Sequence, residues 1–409
     1  ALDDYYWPLN EVVIEEPDLA SLNGNVLNLR FESFTPYFAT FEIQVNGGEW
    51  QPLPAQRTEG HRAFGQFRWE LTPVRNALCI RSRNKAGRIG PRAEIEIASP
   101  PYLPPAPDKI LSDRFQSMGG LATHGGKLFV PSGVINVLEN GEVTKKIGEP
   151  VEWPSDIHPA PAEPWTEEFN IARARQEPLG HLFVPQACAV GSDGTLFVGD
   201  AENYRVQVFA PDGSPRYAWG SHGTEDDQFL HIRALAAAPD GSVYVADSGY
   251  AGPVGARTKH VSRLRRFTAD GRLLQTLATE GSAPGQVITP AGLCADEHGN
   301  LWVADSGNHR VQCFSPAGIL SSCWGRRGNG WGELRYPTDV AIAGDALFVA
   351  DPQHRCVWKF SWNGQPLACL NRGADDSQWL RPGRLVIDGD RLYIGDTSTG
   401  LIHIFRLLT

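Results

Sequence analysis

The chain has 409 residues, longer than one ordinary domain, with 41% hydrophobic and 21% charged residues and 43 Gly beside 31 Pro. That balance is globular and turn-rich, and it excludes disorder, collagen and coiled coil. A formal charge of −10 argues against broad binding to phosphate backbones, so nucleic acid is a poor expectation as a partner.

No apolar stretch approaches the roughly 18–20 residues that cross a bilayer, and the opening ALDDYYWPLN lacks the basic and apolar regions of a signal peptide. The first residue is Ala, so the chain reads as a processed product or a fragment. With 12 Trp against 1 Met, an extracellular or cell-surface setting is expected, a cytoplasmic one staying open. Residues 1–98 carry the alternating runs NVLNLRFE, YFATFEIQV, FGQFRWEL, NALCIRSRN and AEIEIA, separated by turns such as Asn46-Gly47-Gly48. Period-two alternation of this kind predicts a small antiparallel β-sandwich. The segment SPPYLPPAP at 99–107 follows as a stiff, extended linker.

From residue 108 onward one phrase recurs: LFVPS (128–132), LFVGD (196–200), VYVAD (243–247), LWVAD (301–305), LFVAD (347–351) and LYIGD (392–396). The following segments also match, as in NYRVQVFAPDG (203–213), NHRVQCFSPAG (308–318) and HRCVWKFSWNG (354–364). Each unit holds four short β-type runs, the first beginning near a Pro as in PQACAV, PAGLCA and PTDVAI. A period in the mid-forties of four-stranded units predicts a six-bladed β-propeller. The last unit, 381–409, has only three convincing strands. Residues 108–113 are therefore expected to supply its outer strand and latch the ring, which removes exposed edges.

The phrase D-x-x-N-x-R-V-Q-x-F-x-P-x-G resembles the NHL repeat, and 108–409 resembles a six-bladed NHL propeller; blade one departs from it, with Ser132 at the Asp position. The phrase RSRNKAGRIGP (81–91) resembles the end of fibronectin-III-like or immunoglobulin-like modules, which accompany secreted carbohydrate-active and surface proteins. The first resemblance implies the fold but only a range of functions: RNA readers, protein-interaction platforms, and enzymes such as the peptidyl-hydroxyglycine lyases.

Asp200, Asp247, Asp305, Asp351 and Asp396 recur in nearly every unit, which suits hydrogen bonding to the following turn better than a unique site. By the same reasoning Arg205, Arg310 and Arg355 are expected to bridge to those Asp, and His309 and His354 to be exposed turn residues. Aligning the units puts Gly119, Gln186, Arg233, Ala291, Thr338 and Gly383 where the innermost strands begin, followed by Gly120, Ala187, Ala234, Gly292, Asp339 and Arg384. The lyases brought in by the resemblance hold zinc through three His at such positions; none stands here. One Asp and one Gln also fall short of the oxygen set that calcium needs. No metal, cofactor or catalytic residue is therefore assigned. Cys356 and Cys369 would face each other across the turn Ser361–Gly364 if Ser361 paired with Gly364, so a disulfide there stays open.

Two insertions carry the strongest functional signal, because binding loops grow where a repeat spends extra residues. One, near 149–181, joins blade one to blade two; the other, near 249–260, joins the second and third strands of blade three. Both connections emerge on one face. Candidate contact residues are Trp153, His158, Trp165, Glu167, Glu168, Arg233, Arg257, Lys259, His260, Asp339 and Arg384, a mixture suited to a peptide or a glycan. The expected function is a non-catalytic module binding a protein partner or glycan through this face, within a secreted, surface or larger assembly. The alternative is a glycan- or lactone-directed lyase or hydrolase, with His158 or His260 as acid/base and Arg233 with Arg384 on a substrate carboxylate. A weaker third reading gives RNA a basic face of Arg257, Lys259, Arg263, Arg265 and Arg266.

Overall fold

The computed structural model describes residues 12–15, 26–70, 75–98, 108–111, 115, 118–151, 177–251, 259–329, 332–371 and 381–407. Two compact units result, one built on Ala1–Pro105, the other on Ala106–Pro366 with Ser377–Leu407. No helix among the described residues is long and apolar enough to cross a membrane.

The first unit pairs two four-stranded antiparallel sheets. One runs Val13–Ile14, Val26–Phe34, Arg62–Glu70, Arg57–Glu59; the other runs Gln51–Leu53, Phe38–Val45, Arg75–Asn84, Ala93–Ala98. Alternation decides which side of each sheet faces inward: Leu27, Leu29 and Phe31 are buried from the first sheet, and Phe41, Ile43, Leu78 and Ile80 from the second. Phe31 and Phe41 meet edge to face across the layers, centroids 4.8 Å apart.

The second unit is six four-stranded antiparallel sheets in sequence order, the blades of a propeller. Blades two and four show the common plan: Pro185–Val190, Leu196–Asp200, Arg205–Phe209, Pro215–Trp219, and Pro290–Ala295, Leu301–Asp305, Arg310–Phe314, Leu320–Trp324. Every residue of Leu196–Asp200 and Leu301–Asp305 is buried, because a second strand lies between neighbouring blades and has no solvent face. The outer strand Leu320–Trp324 alternates between half-buried and exposed. Apolar clusters fill the space between blades; Val206, Val208, Phe229, Val245 and Phe267 join blades two and three.

The ring closes as expected. Blade six has three strands of its own, Pro382–Asp388, Arg391–Asp396 and Ile402–Arg406, and Lys109–Ile110 adds the fourth, with His403 paired to Ile110 and Ile404 to Lys109. Leu111 continues the latch, its N–H donating to the Ile402 carbonyl at 2.9 Å while its side chain is buried between blades one and six. On the inner side, the Thr123 hydroxyl donates to the Ile387 carbonyl, tying blade one to blade six. The expected linker at 99–107 and residues 112–114 lie outside the described residues.

Three expectations need correction. Cys356 and Cys369 are free thiols, like the other cysteines. The Ser361 N–H bonds the Gln365 carbonyl, not Gly364, so the strands pair one residue later than the disulfide required. Arg355 does not occupy the bridging position: Asp351 pairs with Cys356, where Asp200 and Asp305 pair with Arg205 and Arg310, and Arg355 sits one residue earlier at φ 56°. His309 is buried and His354 half-buried, neither exposed; His309 accepts the Tyr336 N–H at 3.1 Å, and His354 Nδ1 lies 2.8 Å from Asp351.

Candidate functional site

The recurrent Asp residues organise one mouth of the ring. Asp305 Oδ2 accepts from Asn308, Arg310 and Gln312 at 2.7–2.9 Å while Oδ1 accepts the Ile288 N–H, joining the turn after the second strand to the segment entering the first. Asp200 repeats this with Asn203, Arg205, Gln207 and the Phe183 N–H. Both connections therefore lie on one face, and the carboxylates serve the blades.

Among the described residues, three inter-blade connections there are clipped by parallel pairing: Ser221–His222 with Gln228–Phe229, Glu280 with Val287, Arg327 with Leu334. Blade one has the same clip, Glu149–Pro150 with His181–Leu182, so the long insertion springs from a stem that the other connections share. Residues 152–176, with Trp153, His158, Trp165, Glu167 and Glu168, lie outside the described residues, as does Arg257. The described ends of the second insertion lengthen a hairpin: Val243–Ala251 and Lys259–Phe267 stay paired out to Ala251 and Lys259, and residues 252–258 lie outside the described residues. Lys259 and His260 thus stand on a lengthened strand beyond the level at which other blades turn.

A repeated β-bulge shapes the channel mouth. Register slips between Pro185 and Ala187, Ile232 and Ala234, Pro290 and Gly292, and Pro382 and Arg384, leaving Gln186, Arg233, Ala291 and Gly383 as the extra residues. Arg384 of blade six reaches past blade five and donates from Nη1 to the Ala291 carbonyl of blade four at 3.0 Å. Asp339 of blade five is buried, its two oxygens accepting the Val340 and Leu385 N–H groups at 2.9 and 3.0 Å. Burial pushes its carboxyl up to about 6, against the opposing pull of Arg384. Arg233 of blade three donates from Nε to the Ser248 carbonyl at 3.4 Å; burial and then the nearby Arg384 charge lower its pKa.

Two residues that repeat reasoning passed over complete the mouth. His231 occupies the position of Val184, Thr289 and Tyr336, just before the inner strand, and its Nε2 lies 2.9 Å from Gln186 Oε1. Burial, then Arg233, pushes its pKa down to about 4. Glu280 lies 2.9 Å from His260 Nδ1, and His260 Nε2 lies 3.3 Å from the Ser248 hydroxyl. The carboxylate orients the His260 ring. Ser248 is fully buried, so the trio resembles a nucleophile arrangement in distances but not in access. A blade-by-blade alignment would have flagged His231; Glu280 carries no signal before folding.

Arg263, Arg265 and Arg266 of blade three do not present the expected basic face. Arg263 pairs with Asp247; Arg265 is 1% exposed and donates to the Asp226 and Gln228 carbonyls; Arg266 pairs with Asp240 and donates to the Pro316 carbonyl. These cations are consumed within the blades. Among the described residues no three His, Cys, Asp or Glu side chains converge to hold a metal ion.

A family model described as the NHL repeat matches residues 289–314, the stretch that spans the inner strand of blade four through its Asp305–Arg310 bridge. The chain carries a β-propeller with an NHL repeat in blade four. Over 170 residues this chain is 29% identical to a probable peptidyl-alpha-hydroxyglycine alpha-amidating lyase of Caenorhabditis elegans, covering 40% of this chain and 43% of that protein. It is 26% identical over 122 residues to the E3 ubiquitin-protein ligase NHLRC1 of Homo sapiens, covering 29% and 30%. The chain thus spans less than half the length of these relatives. Among solved structures, a gluconolactonase of Xanthomonas campestris aligns with 73% of this chain and 89% of its own, at 14% identity and a TM-score of 0.49.

Proposed function

We propose that the NHL propeller is a docking module whose partner is a protein, bound at the mouth that carries the 149–181 connection and the lengthened hairpin of blade three, within a larger assembly. One observation carries the reading: both interruptions of the repeat spring from this mouth, and Leu179, Val184, Tyr250 and Tyr336 stand exposed on its connections. Aliphatic and tyrosine side chains beside charged groups suit a protein interface, where aromatic anchors supply the binding energy. The sandwich order supports an immunoglobulin- or fibronectin-III-like module, since its sheets follow the A-B-E-D and C-F-G pattern with one added edge strand.

The test is affinity capture with mass-spectrometric identification, comparing the full chain with three variants confirmed to be folded. In one, residues 152–176 become a Gly/Ser segment; the others are Tyr250→Asp and, as a control in the turn between outer strands of blade four, Ile319→Asp. A protein held by the wild type and the control but lost at least tenfold from the first two supports the reading. Equal retention by all four refutes it, and binding confined to a glycan array replaces the protein by a glycan.

A second reading, hydrolase or lyase, is favoured by the Glu280-oriented His260 beside Arg233. It requires His260→Gln to abolish turnover of a glycan or lactone while leaving partner capture unchanged.

A further inference from the structure

We propose that Arg233 and Arg384 form an oxyanion clamp at the channel mouth, taking a carboxylate or phosphate group of a ligand that enters the ring. The inference goes beyond the docking face, because it concerns the channel and needs no partner to be tested.

The donor inventory comes first. A guanidinium has five N–H donors. Arg233 spends Nε on the Ser248 carbonyl, and Arg384 spends Nη1 on the Ala291 carbonyl. Among the described residues their remaining donors have no partner, and neither guanidinium lies within ion-pair distance of a carboxylate. Both groups are half-buried, so their solvation is incomplete. Elsewhere in this ring a buried guanidinium is saturated: Arg310 makes bonds to Asp305 and to the Ser282, Ala283 and Gln286 carbonyls.

Two of the neighbouring acids are engaged elsewhere: Asp339 is held by the Val340 and Leu385 amides, and Asp247 by Arg263 and Arg265. The two cations interact unfavourably with one another, which an anion between them would relieve. Placement is also specific. The bulge makes Arg233 the extra residue of its strand, while Arg384 is fixed across the channel by its bond to blade four. Two forks held by different blades can bind two oxygens of one group.

The test uses the full chain, titrated with sodium phosphate and with sodium acetate at constant ionic strength in chloride, read by thermal unfolding and calorimetry. Expected is a saturable rise in Tm, weakened at least tenfold in Arg233→Gln and in Arg384→Gln. Asp339→Asn removes the nearby negative charge and should tighten binding several-fold, a direction that mere loss of packing would not produce. Arg233→Gln leaves the Arg384–Ala291 bond in place and decides the matter should Arg384→Gln fold poorly. Tighter phosphate than acetate assigns a phosphate-bearing ligand, the reverse a carboxylate. No saturable rise in the wild type, or a rise unchanged in the two Arg variants, overturns the clamp while leaving the docking reading intact.

Discussion

Asp339 and His231 should conceal each other in the pH dependence of stability, and single substitutions should expose both. Asp339 is carried by burial from the usual 3.8 to about 6. At about 1.4 kcal/mol per pH unit, its ionisation is about 3 kcal/mol harder in the fold than in the unfolded chain. Between pH 3.8 and 6 the native state holds a proton that the unfolded chain has released, so this group makes stability fall as pH rises through that window. His231 is displaced the other way, from 6.5 to about 4. The unfolded chain there holds the extra proton, so stability rises with pH between 4 and 6.5, again by about 3 kcal/mol. The titratable and charged neighbours are Arg384 and the neutral thiol of Cys294 for Asp339, and Arg233 and Glu202 for His231. In the wild type the two slopes oppose and nearly cancel. Asp339→Asn should lose about 2 kcal/mol relative to wild type on acidification from pH 6 to 4, and His231→Gln should gain a similar amount. Urea unfolding followed by Trp fluorescence at half-unit pH steps gives the difference curves directly. A variant-minus-wild-type curve flat within about 0.5 kcal/mol over that range would show that neither group is desolvated as the ring requires.

Asp305→Ala leaves the buried Arg310 charge without its carboxylate and takes an acceptor from the Ile288 N–H, Asn308 and Gln312; a loss of about 3–5 kcal/mol in urea unfolding is expected, and under 1 kcal/mol would contradict its structural role. At Gly292 an added Cβ would lie 2.5 Å from the Asp339 Cα and 2.8 Å from the Thr338 carbonyl, so Gly292→Ala should cost about 1–3 kcal/mol, read as a lower Tm, with an unchanged Tm counting against the close approach of blades four and five. Thiol titration in denaturant should find all 7 cysteines, whereas native protein should react fastest at exposed Cys323 and slowly at Cys294 and Cys313, whose thiols burial pushes up to about 12; finding five in denaturant would restore the disulfide.

The propeller was legible because its causes are local and repeated. A second strand between two blades must be apolar on both faces, so LWVAD and its relatives read as buried strands without reference to any neighbour. The missing outer strand of the last unit followed from counting, and Lys109–Ile110 supplies it. Register was less accessible. The bond from Ser361 to Gln365 moves the pairing by one residue, a choice made by turn geometry, and that choice separates Cys356 from Cys369. Burial of charge was hidden as well: Arg263, Arg265 and Arg266 look like a basic surface until the carbonyls of other segments come to meet them.

By itself the sequence determined the number of blades, their boundaries, the latch, and the two places where the repeat is interrupted, since each depends on runs of adjacent residues and on their period. Only the tertiary structure decided which groups share the channel. Arg384 and Ala291 are 93 positions apart and His231 and Gln186 are 45 apart, so ring closure, not spacing along the chain, brings them within hydrogen-bonding distance. The same closure removes water from Asp339 and His231 and sets two guanidinium groups on one mouth, which no pattern of neighbouring residues specifies.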